Sequence, residues 1–107
     1  MISGFTRSVL EATEKIPSGR VTTYGEIAGY LRARSPRAVG GALKRNPFPV
    51  RIPCHRVVMR DGRIGGYSGP GGKAAKIRLL REEGVGIKNE RVEELKEVYF
   101  SFQSGEH

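Results

Sequence analysis

Residues 21–46 read VTTYGEIAGYLRARSPRAVGGALKRN and hold two helix starts in one short stretch. Thr23 with Glu26 forms a T-x-x-E capping box, which predicts a helix from about Tyr24 to Leu31. Ser35 followed by Pro36 is a second start: the serine hydroxyl serves free amides, and proline sits where no backbone N–H is needed. That helix is expected to end at Asn46-Pro47, because a residue before proline is pushed out of helical backbone. Two short helices joined by the basic turn RARS form a helix-turn-helix pattern. The second helix carries Gly40, Gly41 and Ala42 in a row. Each glycine weakens a helix by about 1 kcal/mol relative to alanine. Such a run lets a backbone approach something closely. Tight packing against another helix is one reading. The other is a recognition helix in a nucleic-acid groove, with Arg37, Lys44 and Arg45 reaching phosphates or bases.

Outward from this stretch, Phe5, Val9, Ala12 and Ile16 have helical spacing and stop at the PSG of residues 17–19. Downstream, NPFPVRIPCHRVV is proline-punctuated and extended. HRVVMRDGRIGGYSG predicts a short hairpin turning at Asp61-Gly62. A helix is expected over 73–83, burying Ile77, Leu79 and Leu80 and stopping at Gly84. Val92, Leu95, Val98, Tyr99 and Phe102 predict a final helix packed on the body. The fold class is therefore mainly α: a small winged-helix-like domain with a helix-turn-helix, a short β-hairpin and C-terminal helices. One domain covers 1–107, with a core at 1–88 and an acidic helical tail at 89–107.

The charge is uneven. The whole chain carries +8, but residues 1–88 hold 17 Lys+Arg against 6 Asp+Glu, and residues 89–107 hold 2 against 5. A basic body suits a polyanionic partner such as nucleic acid. It also suits a solvated, thermostable surface, since Arg and Glu abound and Asp61 is the only aspartate. No run of residues is apolar enough to span a membrane, and the first residues lack the layout of a signal peptide, so an intracellular, cytoplasmic location is expected. A single cysteine fits a reducing compartment.

That cysteine, Cys54, stands directly before His55. A working thiol needs a lowered pKa or a neighbouring base, and His55 is a candidate base, with Glu82 or Glu83 to orient it. In a regular strand, however, neighbours point to opposite faces, so the two meet only if the chain turns at Pro53-Cys54 or a water bridges them. The alternative is a buried structural cysteine. One Cys and one internal His are too few for a zinc site, so no metal and no cofactor are expected.

The segments IPSGRVTTYGEIA, RAVGGALKRNPFPVRIPCHRVV, GRIGGYSG and LLREEG, in that order over roughly residues 12–84, resemble the C-terminal active-site domain of O6-alkylguanine-DNA alkyltransferases (methylated-DNA–protein-cysteine methyltransferases). The resemblance implies a DNA-repair protein that enters the minor groove of double-stranded DNA and flips an alkylated guanine out of the stack. It implies that Arg37 fills the vacated space and Tyr24 crowds the 3′ phosphate. Gly40 and Gly41 lie against the groove, Leu43 lines the base pocket, Lys44 meets the DNA, and Asn46 stiffens the turn to the reactive segment. Cys54 takes the alkyl group from O6-alkylguanine, with O4-alkylthymine as a second substrate. It is activated through a water to His55, which Glu83 orients. The carbonyls of Cys54 and Val57 accept from the guanine amine, Tyr67 donates a proton to the leaving base, and Ser68 contacts O6. The thioether is not hydrolysed, so each molecule, a monomer, acts once.

The sequence departs from the family in four places. The N-terminal domain of most members is not seen, and with it goes any zinc expectation. Gly66 stands where many members have Asn. GPGGKAAK is longer than usual, so the choice of Glu83 over Glu82 rests on the EG ending. The short form is also similar to alkyltransferase-like proteins. Those have Trp or Ala in place of the cysteine, bind alkylated guanine without reacting, and hand it to other repair proteins. Cys54 together with His55, Glu83, Asn46, Tyr24 and Arg37 favours reaction.

Overall fold

The structure is a computed structural model that describes residues 3–102. Helix α1 (Gly4–Glu14) starts where the Ser3 hydroxyl accepts the Thr6 N–H, and it buries Val9, Leu10, Ala12 and Thr13. The chain then crosses PSG into β1 (Thr22–Thr23) and directly into α2 (Tyr24–Leu31). Thr23 caps α2 by accepting the Glu26 N–H at 3.0 Å. α2 ends at Arg32, which sits in left-handed backbone at φ 55. Ser35 caps α3 (Pro36–Leu43), with proline in its first turn. These three helices enclose Val9, Leu10, Ile16, Ile27, Val39, Ala42 and Leu43, an apolar cluster that Phe102 closes. α3 stops at Leu43 rather than Asn46: Lys44 still bonds the Gly40 carbonyl four residues back, and Arg45 and Asn46 wind on in tighter turn bonds to Ala42 and Leu43.

After α3 the chain runs through the proline segment to a single 3₁₀ turn at Cys54–Arg56 and then β2 (Val57–Val58). Helix α4 (Gly72–Glu82) follows and ends at Gly84 with φ 93. β3 (Ile87–Lys88), β4 (Arg91–Val92) and the single-turn α5 (Leu95–Val98) complete the order. A second apolar cluster joins Val21, Val58, Ile64, Leu80, Val85, Ile87 and Val92. Mainly helical, helix-turn-helix in its first half and carrying small strand pairs, the domain has the expected class.

Three details differ from the sequence reading. The turn at Asp61-Gly62 forms, with the Met59 N–H on the Arg63 carbonyl at 2.9 Å, but it does not close a hairpin on 57–58. β2 pairs instead in parallel with β1, Thr22 opposite Val57 and Thr23 opposite Val58, while Arg63 bridges Arg91. Val57 and Val58 are both fully buried, and such a pair needs cover on both faces, which a lone hairpin does not offer. The hairpin is elsewhere. β3 and β4 are antiparallel, and Asn89 and Glu90 turn between them in left-handed backbone at φ 54 and 58.

The expected tail helix is therefore corrected: Val92 lies in a strand, and only Leu95–Val98 are helical. In one continuous helix Glu90, Glu93, Glu94 and Glu97 would sit three and four apart and repel. Residues 103–107 of that expectation lie outside the described residues. The buried face of α4 is also corrected, to Ala75, Lys76 and Leu80, with Ile77 and Leu79 half-buried.

Candidate active site

The proline segment places the thiol. Pro53 at φ −79, ψ 63 makes a tight turn, closed by the Cys54 N–H on the Ile52 carbonyl at 2.7 Å. The 3₁₀ turn follows at once, so Cys54 and His55 do not oppose each other as strand neighbours would. Asn46 braces this turn from the end of α3. Its amide donates to the Ile52 carbonyl at 2.9 Å and to Cys54 Sγ at 3.3 Å, and its oxygen accepts the Phe48 N–H at 2.8 Å.

Cys54 forms part of the wall of a cavity of ≈ 380 Å³ shared with Tyr24, Gly40, Leu43, Lys44, Gly66, Tyr67 and Ser68. That size is within the roughly 300–1,000 Å³ range of ligand pockets. The cavity continues outward along α3 into a shallow concavity lined by Arg37, Gly41 and Met59 among others. A Cβ on Gly40 would meet nothing nearer than the Tyr24 ring at 3.9 Å, and one on Gly41 nothing nearer than the Arg45 guanidinium at 3.9 Å. Packing among the described residues therefore does not require either glycine, and both line the outer concavity. The surface around them is basic, with Arg34, Arg37, Lys44, Arg45 and Arg60 all exposed.

Behind the thiol lies a buried polar network. His55 is fully buried, and its Nε2 is 3.0 Å from Glu83 Oε2. An ionised carboxylate only accepts, so Nε2 carries the hydrogen and Nδ1 is left as a bare base. Among the described residues, neither Nδ1 nor the Tyr67 hydroxyl has a hydrogen-bond partner. Burial lowers the His55 pKa, outweighing the pull of Glu83, so the ring is neutral near pH 7. Burial also opposes ionisation of Glu83, but hydrogen bonds from Arg56 and His55 prevail and hold its pKa below the ordinary carboxylate value. Arg56 grips Glu83 with two nitrogens, at 2.9 and 2.6 Å, and reaches the Ile16 carbonyl at 2.7 Å with the third. Glu82 instead pairs with Arg78 on the surface at 3.7 Å. Of the two glutamates, Glu83 is the one in contact with His55.

Lys76 is the residue that sequence reading missed. It lies on α4 with no exposure, its ammonium donating to the Val57 carbonyl at 2.7 Å and to the Gly66 carbonyl at 3.0 Å. The Val57 carbonyl, expected to serve a ligand amine, thus already accepts a lysine. Burial lowers the Lys76 pKa to about 8, with the Cys54 charge acting the other way. From there up to the ordinary lysine value of about 10.4, the unfolded chain holds a proton that the folded one has released. The stability linked to this lysine therefore rises with pH across that window. Melts near neutrality and at about pH 9.5 should show the native chain gaining on Lys76→Met by on the order of 1–2 kcal/mol. Equal changes in the two would refute the assignment.

Of the residues picked out from the sequence, Tyr24, Gly40, Leu43, Lys44, Cys54, Tyr67 and Ser68 meet at the cavity, and Arg37 and Gly41 lie on its outer rim. His55, Glu83 and Asn46 stand behind it, and no side-chain hydrogen bond joins Cys54 to His55 directly. Gly69 is a further contributor. A Cβ there would come within 2.5 Å of the Tyr67 hydroxyl, so only glycine leaves room for that ring. The G-x-x-G spacing of residues 66–69 was its one signal.

The domain is a helix-turn-helix whose second helix opens onto a cavity with a thiol in its wall. The sequence model for the 6-O-methylguanine DNA methyltransferase, DNA binding domain, matches residues 4–85. The chain belongs to that family. It is 58% identical over 87 residues to the methylated-DNA–protein-cysteine methyltransferase of Archaeoglobus fulgidus, an alignment covering 78% of this chain and 58% of the relative. It spans about half the length of the curated relatives it matches. Among solved structures, the O6-methylguanine-DNA methyltransferase of Pyrococcus kodakaraensis matches with a TM-score of 0.69 at 49% identity, over 78% of this chain and 48% of that one. S. pombe Atl1 in complex with damaged DNA containing O6-carboxymethylguanine matches with a TM-score of 0.82 at 33% identity, over 94% of this chain and 98% of that one.

Proposed function

We propose that this domain repairs DNA by moving the alkyl group of an O6-alkylated guanine onto Cys54. The observation that carries the reading is the position of Cys54 in the cavity wall, with the neutral His55 and the ionised Glu83 behind it. α3 lies on the duplex, its glycines against the groove and Arg37 in the space the extruded base leaves. Tyr24 crowds the backbone of the lesion nucleotide, and the base enters the cavity. The Cys54 proton passes through a water to His55 Nδ1. The thiolate attacks the alkyl carbon, an S–C bond forms and the C–O6 bond breaks. The departing electron pair stays on the guanine, which takes a proton from the Tyr67 hydroxyl and leaves as ordinary guanine. Ser68 steadies O6. The thioether remains, so one molecule repairs one lesion. On this reading the domain works as a monomer on double-stranded DNA, associated with the nucleoid in the cytoplasm.

A second reading, lesion binding without transfer, is favoured by one observation: the Atl1 structure matches nearly end to end. Under it the domain flags alkylated guanine for other repair proteins. Intact-protein mass after incubation with an oligonucleotide containing O6-methylguanine separates the two. Transfer predicts a gain of one methylene, mapped to Cys54 and missing from Cys54→Ser. Lesion-selective binding with no gain in mass would replace the first reading by the second.

A further inference from the structure

The last described residues, Tyr99–Phe102, lie beyond the family-matched segment and run as a strap across the start of α2. The Val21 N–H donates to the Val98 carbonyl at 2.9 Å and the Phe100 N–H to the Val21 carbonyl at 2.7 Å. The Thr22 hydroxyl adds a bond to the Phe100 carbonyl at 2.8 Å. β1 is thus flanked by β2 and by the strap. Glu26 is the key to the arrangement. Its carboxylate accepts the Tyr99 hydroxyl at 2.8 Å, the Ser101 hydroxyl at 3.2 Å and the Phe102 N–H at 3.1 Å. The glutamate of the capping box is turned outward to the strap instead of back to its own helix. The Tyr99 hydroxyl also lies 3.3 Å from the Thr23 hydroxyl that caps α2, and the buried Phe102 ring stacks on Tyr30 at 4.5 Å.

These contacts converge on a weak point. α2 has only eight residues, with Gly25 at its second position and Gly29 further on, so its first turn frays readily when left alone. Its first residue is Tyr24, which faces the cavity. A side chain that must push against a DNA backbone needs a fixed base. We propose that Glu26 and Tyr99 are positioning residues for base extrusion: the strap locks the first turn of α2 and so holds Tyr24 against the backbone of the extruded nucleotide. This rests on the lesion-extruding reading of the cavity. The strap ties down β1 and α2 while Cys54, His55 and α4 are held by their own network, so extrusion and thiol chemistry are separable.

The test uses the whole chain with Tyr99→Phe, Tyr99→Phe/Ser101→Ala and Glu26→Gln, each assayed well below its melting midpoint. Extrusion is followed by the fluorescence of 2-aminopurine placed beside O6-methylguanine in a duplex. Thiol reactivity is followed by iodoacetamide labelling of Cys54, which needs no DNA. The expected result is extrusion slowed about tenfold in the double variant, less in the two single ones, with labelling unchanged within about twofold. Unchanged extrusion overturns the proposal, and so does a parallel fall in both rates, which would mark the strap as general bracing. If the native chain extrudes no base, the lesion-extruding reading falls and the proposal with it. If it extrudes but transfers no methyl group, only the transfer reading falls and the strap is still tested.

Discussion

Glu83→Ala is expected to cost about 3 kcal/mol of stability and to slow methyl transfer to Cys54 by about a hundredfold or more. The carboxylate is where the end of α4, the reactive turn and the end of α1 are tied together, through His55 on one side and Arg56 with its Ile16 bond on the other. Arg56 and Glu83 side chains are each only 16% exposed, so alanine would leave a mostly shielded guanidinium without its counter-charge. It would also free the His55 ring, and with it the tautomer that keeps Nδ1 as the base. Denaturant unfolding reads the first effect and rapid-quench mass spectrometry the second. Because the Glu83 pKa is depressed, the stability it brings is complete above the ordinary carboxylate value of about 4.3 and is lost as pH falls through the lower folded value. The native chain should therefore show an acid-induced loss in that range that the alanine variant lacks. A variant as stable and as fast as the native chain would dismiss the network as decoration.

Asn46 carries the second large effect. Alanine there removes three hydrogen bonds, leaving the Ile52 carbonyl with only the Cys54 N–H and the exposed Phe48 N–H to water, at about 1–2 kcal/mol. Transfer should fall at least about tenfold as the turn loosens around the sulfur. Asn46→Asp is the sharper probe. The new carboxylate still accepts the Phe48 N–H, but it cannot donate to Sγ and places a negative charge about where the amide now lies 3.3 Å away. Thiolate formation is then opposed, and iodoacetamide labelling near neutral pH should be slower in Asn46→Asp than in Asn46→Ala. Labelling in the reverse order would mean that the amide shapes the turn without influencing the thiol.

What could be read from the sequence was mostly local. Thr23, Ser35 and Pro36 set two helix starts to the residue, since a cap acts on amides only two or three positions away. The adjacency of Cys54 and His55, and the EG ending that selects Glu83, likewise lie in short stretches. What escaped depends on distant partners. Lys76 sits where a helix pattern expects solvent, and its burial makes sense only once two carbonyls from other segments converge on it. For residues 57–58 the local pattern points to a partner just downstream, while β2's actual partner, β1, comes earlier in the chain. In the tail, apolar residues at three- and four-residue spacing imitated a helix, and the Asn89-Glu90 turn lacked the glycine that usually announces one.

The two residues of β1 depend on neighbours from the middle of the chain and from its far end, the Thr22 to Phe100 bond spanning 78 positions. Loop closures of that length make such pairings slow to form relative to the helices. While the chain emerges in order, the thiol is made long before the strap. Every residue that shares the cavity wall with Cys54 is likewise made before β1 gains its second neighbour. The pairing of β1 with the strap is therefore a late step for which the cavity does not wait.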